Sequence, residues 1–114
     1  MVIMKYNYEA ALLIVKKVGE VYRLSTQKVE YYVYANCVRE NQQEYEDGRN
    51  YVKKIDQVLE NCKPNTQKII RKDFLEMNDR WWYRVHYGKS QYYRLRKEAV
   101  LEFVDCLTKP KMLV

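Results

Sequence analysis

The chain of 114 residues has few of the residues that interrupt helices, with only three glycines and two prolines. Because both residues disfavour helix interiors, their scarcity predicts long helices and argues against a fold rich in tight turns. One histidine and no Cys-x-x-Cys pair leave no known spacing for a metal site or for a base and nucleophile. We therefore expect an all-α protein with no catalytic residues, no metal and no other cofactor.

The sequence also lacks a disulfide framework and a long apolar run. Its three cysteines, Cys37, Cys62 and Cys106, are odd in number and widely separated, which is typical of unpaired thiols in a reducing compartment. The apolar run at residues 10–15 is too short for a secretory signal and far too short to span a bilayer. We expect a cytoplasmic protein that does not associate with membranes.

The net charge of +6 is unevenly distributed along the chain. Residues 1–62 carry nine basic and nine acidic side chains, whereas residues 63–114 carry twelve basic and six acidic ones. The whole excess therefore lies in the second half, which is typical of a nucleic-acid binder, although a simply solvated surface is the alternative.

Apolar residues recur at intervals of three and four along most of the chain, the period of an amphipathic helix. This spacing predicts helices at residues 7–24, 27–45, 49–61, 67–76, 79–86 and 91–107. Ser25 or Thr26 is predicted to separate the first two helices, Gly48 to stop the second in a left-handed conformation, and Pro64 to follow the third. Residues 1–6 are expected to form a frayed start.

The segment 78–107 is predicted to form two helices joined by a tight turn. Asn78 and Ser90 are the expected N-caps, and Gly88 is expected to adopt positive φ in the turn. Six Lys or Arg side chains and no acidic one lie between residues 80 and 97. The apolar positions of the longer helix form one stripe, predicted to be buried: Tyr92, Leu95, Ala99, Phe103 and Cys106. A short helix that supports a longer one of this kind is the pattern of a DNA-binding helix-turn-helix.

The same segment resembles the fourth region of sigma factors, and more closely the phage regulators of the ArpU and RinA type. The residues that carry the resemblance are the turn 87–90, the segment 92–96, Ala99 and Phe103. The Trp81-Trp82 pair and residues 90–96 also resemble a family of small proteins from mollicute bacteria. The resemblance implies a bacterial or phage transcription regulator, and it adds RNA polymerase as a candidate partner. Trp81 and Trp82 depart from the small or aliphatic residues usual on the supporting helix.

Eight residues are predicted to contact double-stranded DNA. Gln91, Tyr93 and Arg94 lie near the start of the long helix, where side chains can reach base edges in the major groove. Basic side chains on either side are expected to contact phosphates, and Ser90 to contact one through the helix N-terminus. The complete predicted set is Arg84, Lys89, Ser90, Gln91, Tyr93, Arg94, Arg96 and Lys97.

Three other motifs could suggest a function, but each has an ordinary structural interpretation that is favoured. Gly88-Lys89-Ser90 is not a phosphate-binding loop, because that loop needs a glycine where Tyr83 stands. His86 has no Cys or Ser at a spacing known for a catalytic pair, so it is expected at the surface or as a phosphate contact. Trp81 and Trp82 are expected in the core, with a stacking platform for single-stranded nucleic acid as the alternative.

The predicted architecture is an N-terminal helical bundle or arm, residues 1–62, a helix-turn-helix unit, residues 63–109, and a tail, residues 110–114. The N-terminal helices form a homodimer interface or a platform for another protein, or they complete the monomer core. We expect sequence-specific DNA binding and regulation of transcription. The alternatives are a protein-interaction module that docks on a partner and, less favoured, an RNA-binding protein.

Overall fold

A computed structural model describes residues 7–109, so the predicted frayed start at residues 1–6 and the tail at residues 110–114 lie outside the described part. The described residues form helices and turns without any strand, which confirms the all-α class. The described residues contain four α-helices: α1 (Tyr8–Tyr34), α2 (Gln42–Glu60), α3 (Pro64–Ile70) and α4 (Lys89–Thr108). A 3₁₀ helix, Arg39–Asn41, precedes α2, and another, Trp82–Val85, precedes α4.

The first two α-helices form an antiparallel hairpin whose turn differs from the predicted one. α1 continues through Thr26. The Thr26 hydroxyl donates to the Tyr22 carbonyl oxygen one turn earlier (2.9 Å), so its hydrogen bond is made within the helix. The chain reverses after Tyr34, where Asn36 takes the left-handed conformation (φ 54°). Asparagine tolerates that conformation better than most residues with a side chain. The predicted break at Ser25 or Thr26 was wrong, because α1 continues through both residues.

Gly48 does not stop a helix, as the sequence had suggested, but lies buried inside α2. A Cβ atom at this position would lie 3.1 Å from Val29 Cγ2 and 3.3 Å from the Ser25 carbonyl oxygen of α1. The missing side chain therefore allows α1 and α2 to approach closely, and the glycine serves packing instead of a turn.

The break predicted before Pro64 is present, between α2 and α3. Pro64 itself occupies the first turn of α3, where its missing N–H costs nothing. The helix continues as a π-helical segment, Arg71–Glu76, and ends at Met77 in the left-handed conformation. This segment packs against α1 at Gly19, where an added Cβ would collide with the Phe74 carbonyl oxygen. Arg23 also donates to that oxygen.

The element before α4 is much shorter than the helix predicted at residues 79–86. It is a single 3₁₀ helix, and the Asp79 carboxylate instead of Asn78 accepts from the Trp81 N–H (2.9 Å). Bulky aromatic residues have modest helix propensity, and the Trp82 indole donates to an acceptor on another element, so local and tertiary preferences both oppose a regular α-helix.

The start of α4 also differs from the prediction in two details. Gly88 is the N-cap, with an ordinary extended backbone (φ −71°, ψ 160°), so positive φ was wrong there. Ser90 lies one position inside the helix and is not the cap. The buried stripe of α4 matches the prediction at Tyr92, Ala99 and Phe103, and it is extended by Val100 and Val104.

One hydrophobic core includes residues from both predicted regions. Val15 of α1 and Leu59 of α2 are buried in the same cluster as Ile69 of α3 and Phe103 of α4. The proposed boundary at residue 62 does fall between α2 and α3, but the core extends across it. The inner parts of the first two helices thus complete the core, whereas the far end of the hairpin leaves Tyr31, Val33 and Tyr34 exposed. Among the described residues, no helix is both long enough and apolar enough to cross a membrane.

Candidate nucleic-acid interface

The first half of α4 exposes most of the residues predicted to contact DNA. Arg94 lies on the side opposite the buried stripe, and Ser90, Gln91 and Lys97 are exposed on the same broad face of the helix. Tyr93 is half-exposed at the edge of this face (51%). The helix thus holds base-reading and phosphate-binding side chain types within two turns, as the spacing predicted.

The 3₁₀ helix before α4 supplies a second part of this surface. Trp82, the first residue of this helix, is buried (8%), whereas its N-cap, Trp81, is 46% exposed, contrary to the prediction that both are core residues. The Arg84 guanidinium lies 4.0 Å from the centre of the Trp81 ring, and that of Arg80 lies 4.8 Å away. Cation–π attraction therefore holds two positive charges over an exposed indole.

A shallow cleft of about 260 Å³ joins the two parts. Its lining combines aromatic rings with cationic side chains from the 3₁₀ helix and from the start of α4: Trp81, Tyr83, Arg84, Tyr87, Lys89 and Tyr93. We call these six residues, together with Arg80, Ser90, Gln91, Arg94 and Lys97, the basic-aromatic surface. Its members come from two elements, so its shape depends on how firmly the 3₁₀ helix is fixed to α4.

Asp73, in the π-helical segment, provides that attachment. Its side chain is only 8% exposed, and its carboxylate accepts from Trp82 Nε1 (2.7 Å), Arg96 Nε (3.1 Å) and the Tyr92 hydroxyl. One buried carboxylate therefore connects α3's extension to the 3₁₀ helix and to α4 at two positions. The Tyr83 and Tyr92 rings also stack, with centroids 3.8 Å apart and planes 7° from parallel. Together these contacts fix the two elements of the basic-aromatic surface relative to one another.

Arg96 differs from the other predicted DNA contacts. It is half-buried, its guanidinium pairs with Asp73, and it lies 4.9 Å from the Phe74 ring centre. A second nitrogen donates to the Tyr8 hydroxyl (3.5 Å) of α1. A phosphate would have to compete with a buried carboxylate for this side chain, so the geometry favours an internal role for Arg96.

The other five cations of this segment have no ion-pair partner among residues 7–109. They are Arg80, Arg84, Lys89, Arg94 and Lys97. All five charges are exposed on the basic-aromatic surface, whereas Arg96 is paired with Asp73. Lys97 also lies 5.8 Å from the ring of Tyr8, at the far edge of the surface. A concentration of positive charge of this kind attracts polyanions.

Burial raises the pKa of Tyr92, behind the surface, and of Cys62, after the end of α2. It raises the pKa of Tyr92 above that of an ordinary tyrosine, and the hydrogen bond to the Asp73 carboxylate raises it further. The Tyr92 hydroxyl, which donates to the Asp73 carboxylate, therefore keeps its proton to higher pH than an ordinary tyrosine does. Burial likewise raises the pKa of Cys62 to about 12, with smaller contributions from Cys106 and Glu102.

Sequence reasoning missed two features of this region. Asp73 stood among scattered acidic residues, and no spacing relates it to its partners 9, 19 and 23 positions later. The structure also brings Cys62, Glu102 and Cys106 together, with one ligand atom from each residue lying within 4.8 Å of the others. The spacing Glu-x-x-x-Cys at residues 102–106 was a weak signal, since i and i+4 share a helix face, but Cys62 lies 40 residues earlier.

Comparisons of the chain with models of protein families, with curated proteins and with solved structures find no match.

Proposed function

We propose that the protein binds double-stranded DNA through the basic-aromatic surface and regulates transcription as a sigma-like helix-turn-helix protein. The observation that carries the proposal is the exposure of five cations that have no ion-pair partner among residues 7–109, together with Gln91 and Tyr93, on α4 and on the segment before it. In this arrangement α4 is the recognition helix, and the 3₁₀ helix takes the place of the supporting helix.

The roles within the surface follow from side-chain chemistry. Gln91 and Arg94 are suited to bidentate contacts with adenine and guanine in the major groove. Lys89 and Lys97, one at each end of the exposed face, are suited to phosphates, as is Arg84 where the DNA backbone passes the 3₁₀ helix. Arg96 is assigned to holding α4, not to DNA.

Selection of bound duplexes from a random pool, followed by affinity measurements, tests the proposal. Arg94→Ala is expected to weaken binding to the selected site by about 1–3 kcal/mol, and to relax preference at one base pair. Lys89→Ala is expected to weaken all duplexes alike and to reduce the salt slope by about 1. Arg39→Ala is the matched control, because Arg39 is exposed on the other 3₁₀ helix and has no ion pair among the described residues.

Two results would contradict DNA reading. One is selection that yields no enriched sequence, and the other is an Arg94→Ala variant that binds every duplex as the Arg39→Ala variant does. Loss of binding in both variants would indicate attraction by net charge alone, without a defined surface.

A second candidate function rests on the exposed Trp81. An indole between two arginines is a suitable platform for an unpaired base, which favours single-stranded RNA or DNA as the ligand. Trp81→Ala separates the candidates, since stacking would be lost while the α4 contacts remain. If single-stranded RNA outcompetes duplex DNA of equal length and Trp81→Ala abolishes that advantage, RNA binding replaces the first proposal.

Under this proposal, the candidate protein partners of the chain are a second copy of itself and RNA polymerase. The exposed apolar residues at the end of the α1–α2 hairpin, Tyr31, Val33 and Tyr34, are the candidate dimer face. Sedimentation of the wild-type chain and of Tyr34→Ser measures this, because Tyr34 is 92% exposed and its replacement costs no internal contact. Capture of one protein that persists after nuclease treatment would instead favour a docking module.

A further inference from the structure

We propose that Cys62, Glu102 and Cys106 bind a thiophilic divalent metal ion of the zinc type, at the corner where the α2–α3 connection meets α4. The inference does not depend on the proposed DNA binding. One ligand atom from each of the three residues lies within 4.8 Å of the other two. In a tetrahedral zinc site, metal–ligand bonds of about 2.0–2.3 Å place the ligand atoms up to roughly 3.8 Å apart. The closure needed is therefore of the order of 1 Å, within the reach of side-chain rotation.

The three donors have the chemistry of a zinc site and not of a magnesium or calcium site. Two sulfurs and one carboxylate suit a borderline-soft ion, whereas magnesium and calcium prefer oxygen ligands throughout. Glu102 and Cys106 lie four positions apart on α4 and so project from the same side of the helix. Cys62 is buried just after the end of α2, and it reaches the same point from a second element.

The carboxylate is already oriented by groups behind it. The Lys63 backbone N–H donates to Glu102 Oε2 (3.2 Å), and the buried hydroxyl of Thr66 donates to Oε1. Ligand carboxylates in metal sites are commonly held by such outer hydrogen bonds, which fix the direction of the remaining lone pairs. Three protein ligands leave a fourth position for water or another small ligand.

Cobalt(II) binding to the full chain, in a reductant that does not bind metal, tests the inference. We expect one equivalent of Co²⁺ to produce a thiolate-to-cobalt charge-transfer band with tetrahedral d–d absorption, and Zn²⁺ to displace it. Cys106→Ser, at a half-buried position, is expected to remove at least half of the charge-transfer intensity, because one of the two thiolate ligands is lost, and Glu102→Gln is expected to weaken binding at least tenfold. Cys37→Ser is the matched control, since this third cysteine lies in the turn after α1, and its spectrum should equal that of the wild type.

Several results would overturn the site. These are a wild-type chain with free thiols and no charge-transfer band, a band of undiminished intensity in Cys106→Ser, or a band lost in Cys37→Ser. Cys62→Ser alone does not decide the matter, because a buried polar replacement can destabilise the fold. The measurement on Cys106→Ser is therefore made together with a far-ultraviolet circular dichroism spectrum, and retained helicity with the expected loss of charge-transfer intensity supports the proposal.

Discussion

Replacing Asp73 is expected to destabilise the fold more than replacing any other acidic residue paired in the structure. Asp73→Ala removes the acceptor of three donors and leaves the Arg96 guanidinium, whose side chain is 23% exposed, without its counter-ion. Loss of one partner of a buried ion pair costs about 3–5 kcal/mol, and unsatisfied buried donors cost about 1–3 kcal/mol each. These contributions share one network and do not add, and Arg96 retains some access to water. We therefore expect a loss of about 3–5 kcal/mol.

Asp56 provides the matched control for this experiment. Its carboxylate also accepts from a tyrosine, Tyr22 (3.0 Å), and from an arginine, Arg71 (3.3 Å), but the ion pair is 37% exposed on both sides. Pairs exposed to that extent contribute about 0–1 kcal/mol, so Asp56→Ala should change stability little. Both variants remove a carboxylate that pairs with a tyrosine and an arginine; they differ in the burial of the pair and in the additional Trp82 donor at Asp73.

Urea denaturation followed by circular dichroism measures the difference. With a slope of about 2 kcal/mol/M, Asp73→Ala should lower the midpoint by about 2 M, and Asp56→Ala by less than about 0.5 M. Asp73→Asn keeps an acceptor oxygen and should fall between them. If the Asp73→Ala and Asp56→Ala midpoints agree within error, burial of the Asp73 network does not stabilise the fold, and the attachment of the 3₁₀ helix to α4 must have another source.

Two further predictions concern backbone packing and pH. Gly19→Ala should cost about 1–3 kcal/mol in thermal or urea unfolding, because its Cβ would collide with the Phe74 carbonyl oxygen. Gly88→Ala should cost less than about 1 kcal/mol, since nothing lies within 4 Å of its added Cβ and only the N-cap preference for glycine is lost. Equal effects at the two glycines would refute the close approach. Stability should fall as pH rises above the ordinary tyrosine pKa of 10.0, because burial raises the folded-state pKa of Tyr92 and Tyr51, so the unfolded chain loses those protons first. Midpoints measured from pH 8 to 11 check this, and Tyr51→Phe should reduce the slope; an unchanged midpoint over that interval would contradict it.

The feature that the sequence predicted best is the longest apolar stripe, that of α4. α4 carries a strict apolar stripe, and a stripe of that length determines both the helix and its exposed face, so Gln91 and Arg94 were placed at the surface correctly. The turns were harder to predict, because a glycine can mark either a turn or a close approach of two helices. At Gly48 the chain exploits the absent side chain for helix packing, and the actual reversal occurs at Asn36, which has no Gly or Pro near it.

The attachments of the candidate surface could not be predicted for a different reason. Asp73 lies far from Trp82, Tyr92 and Arg96 in sequence, and its role appears only when three elements come together. The same applies to Cys62 and Cys106, whose spacing of 44 residues matches no known motif. Periodicity identifies which face of a helix is buried, but it does not identify the residue that faces it across the core.

The shared core has a consequence for how the basic-aromatic surface can be isolated. α4 buries Val100 and Phe103 in a cluster with residues of α1 and α2, and Arg96, in the first half of α4, donates to Tyr8 of α1. A fragment of residues 63–109 would therefore expose the apolar side of α4 that the N-terminal helices cover, and a chain of that size buries too little surface to compensate. We expect the fragment to lack stable helicity in circular dichroism and to bind the selected duplex far more weakly than the full chain. A fragment that folds cooperatively and binds that duplex with the affinity of the full chain would show that the first two helices are dispensable, and that the common core contributes little to the orientation of α4.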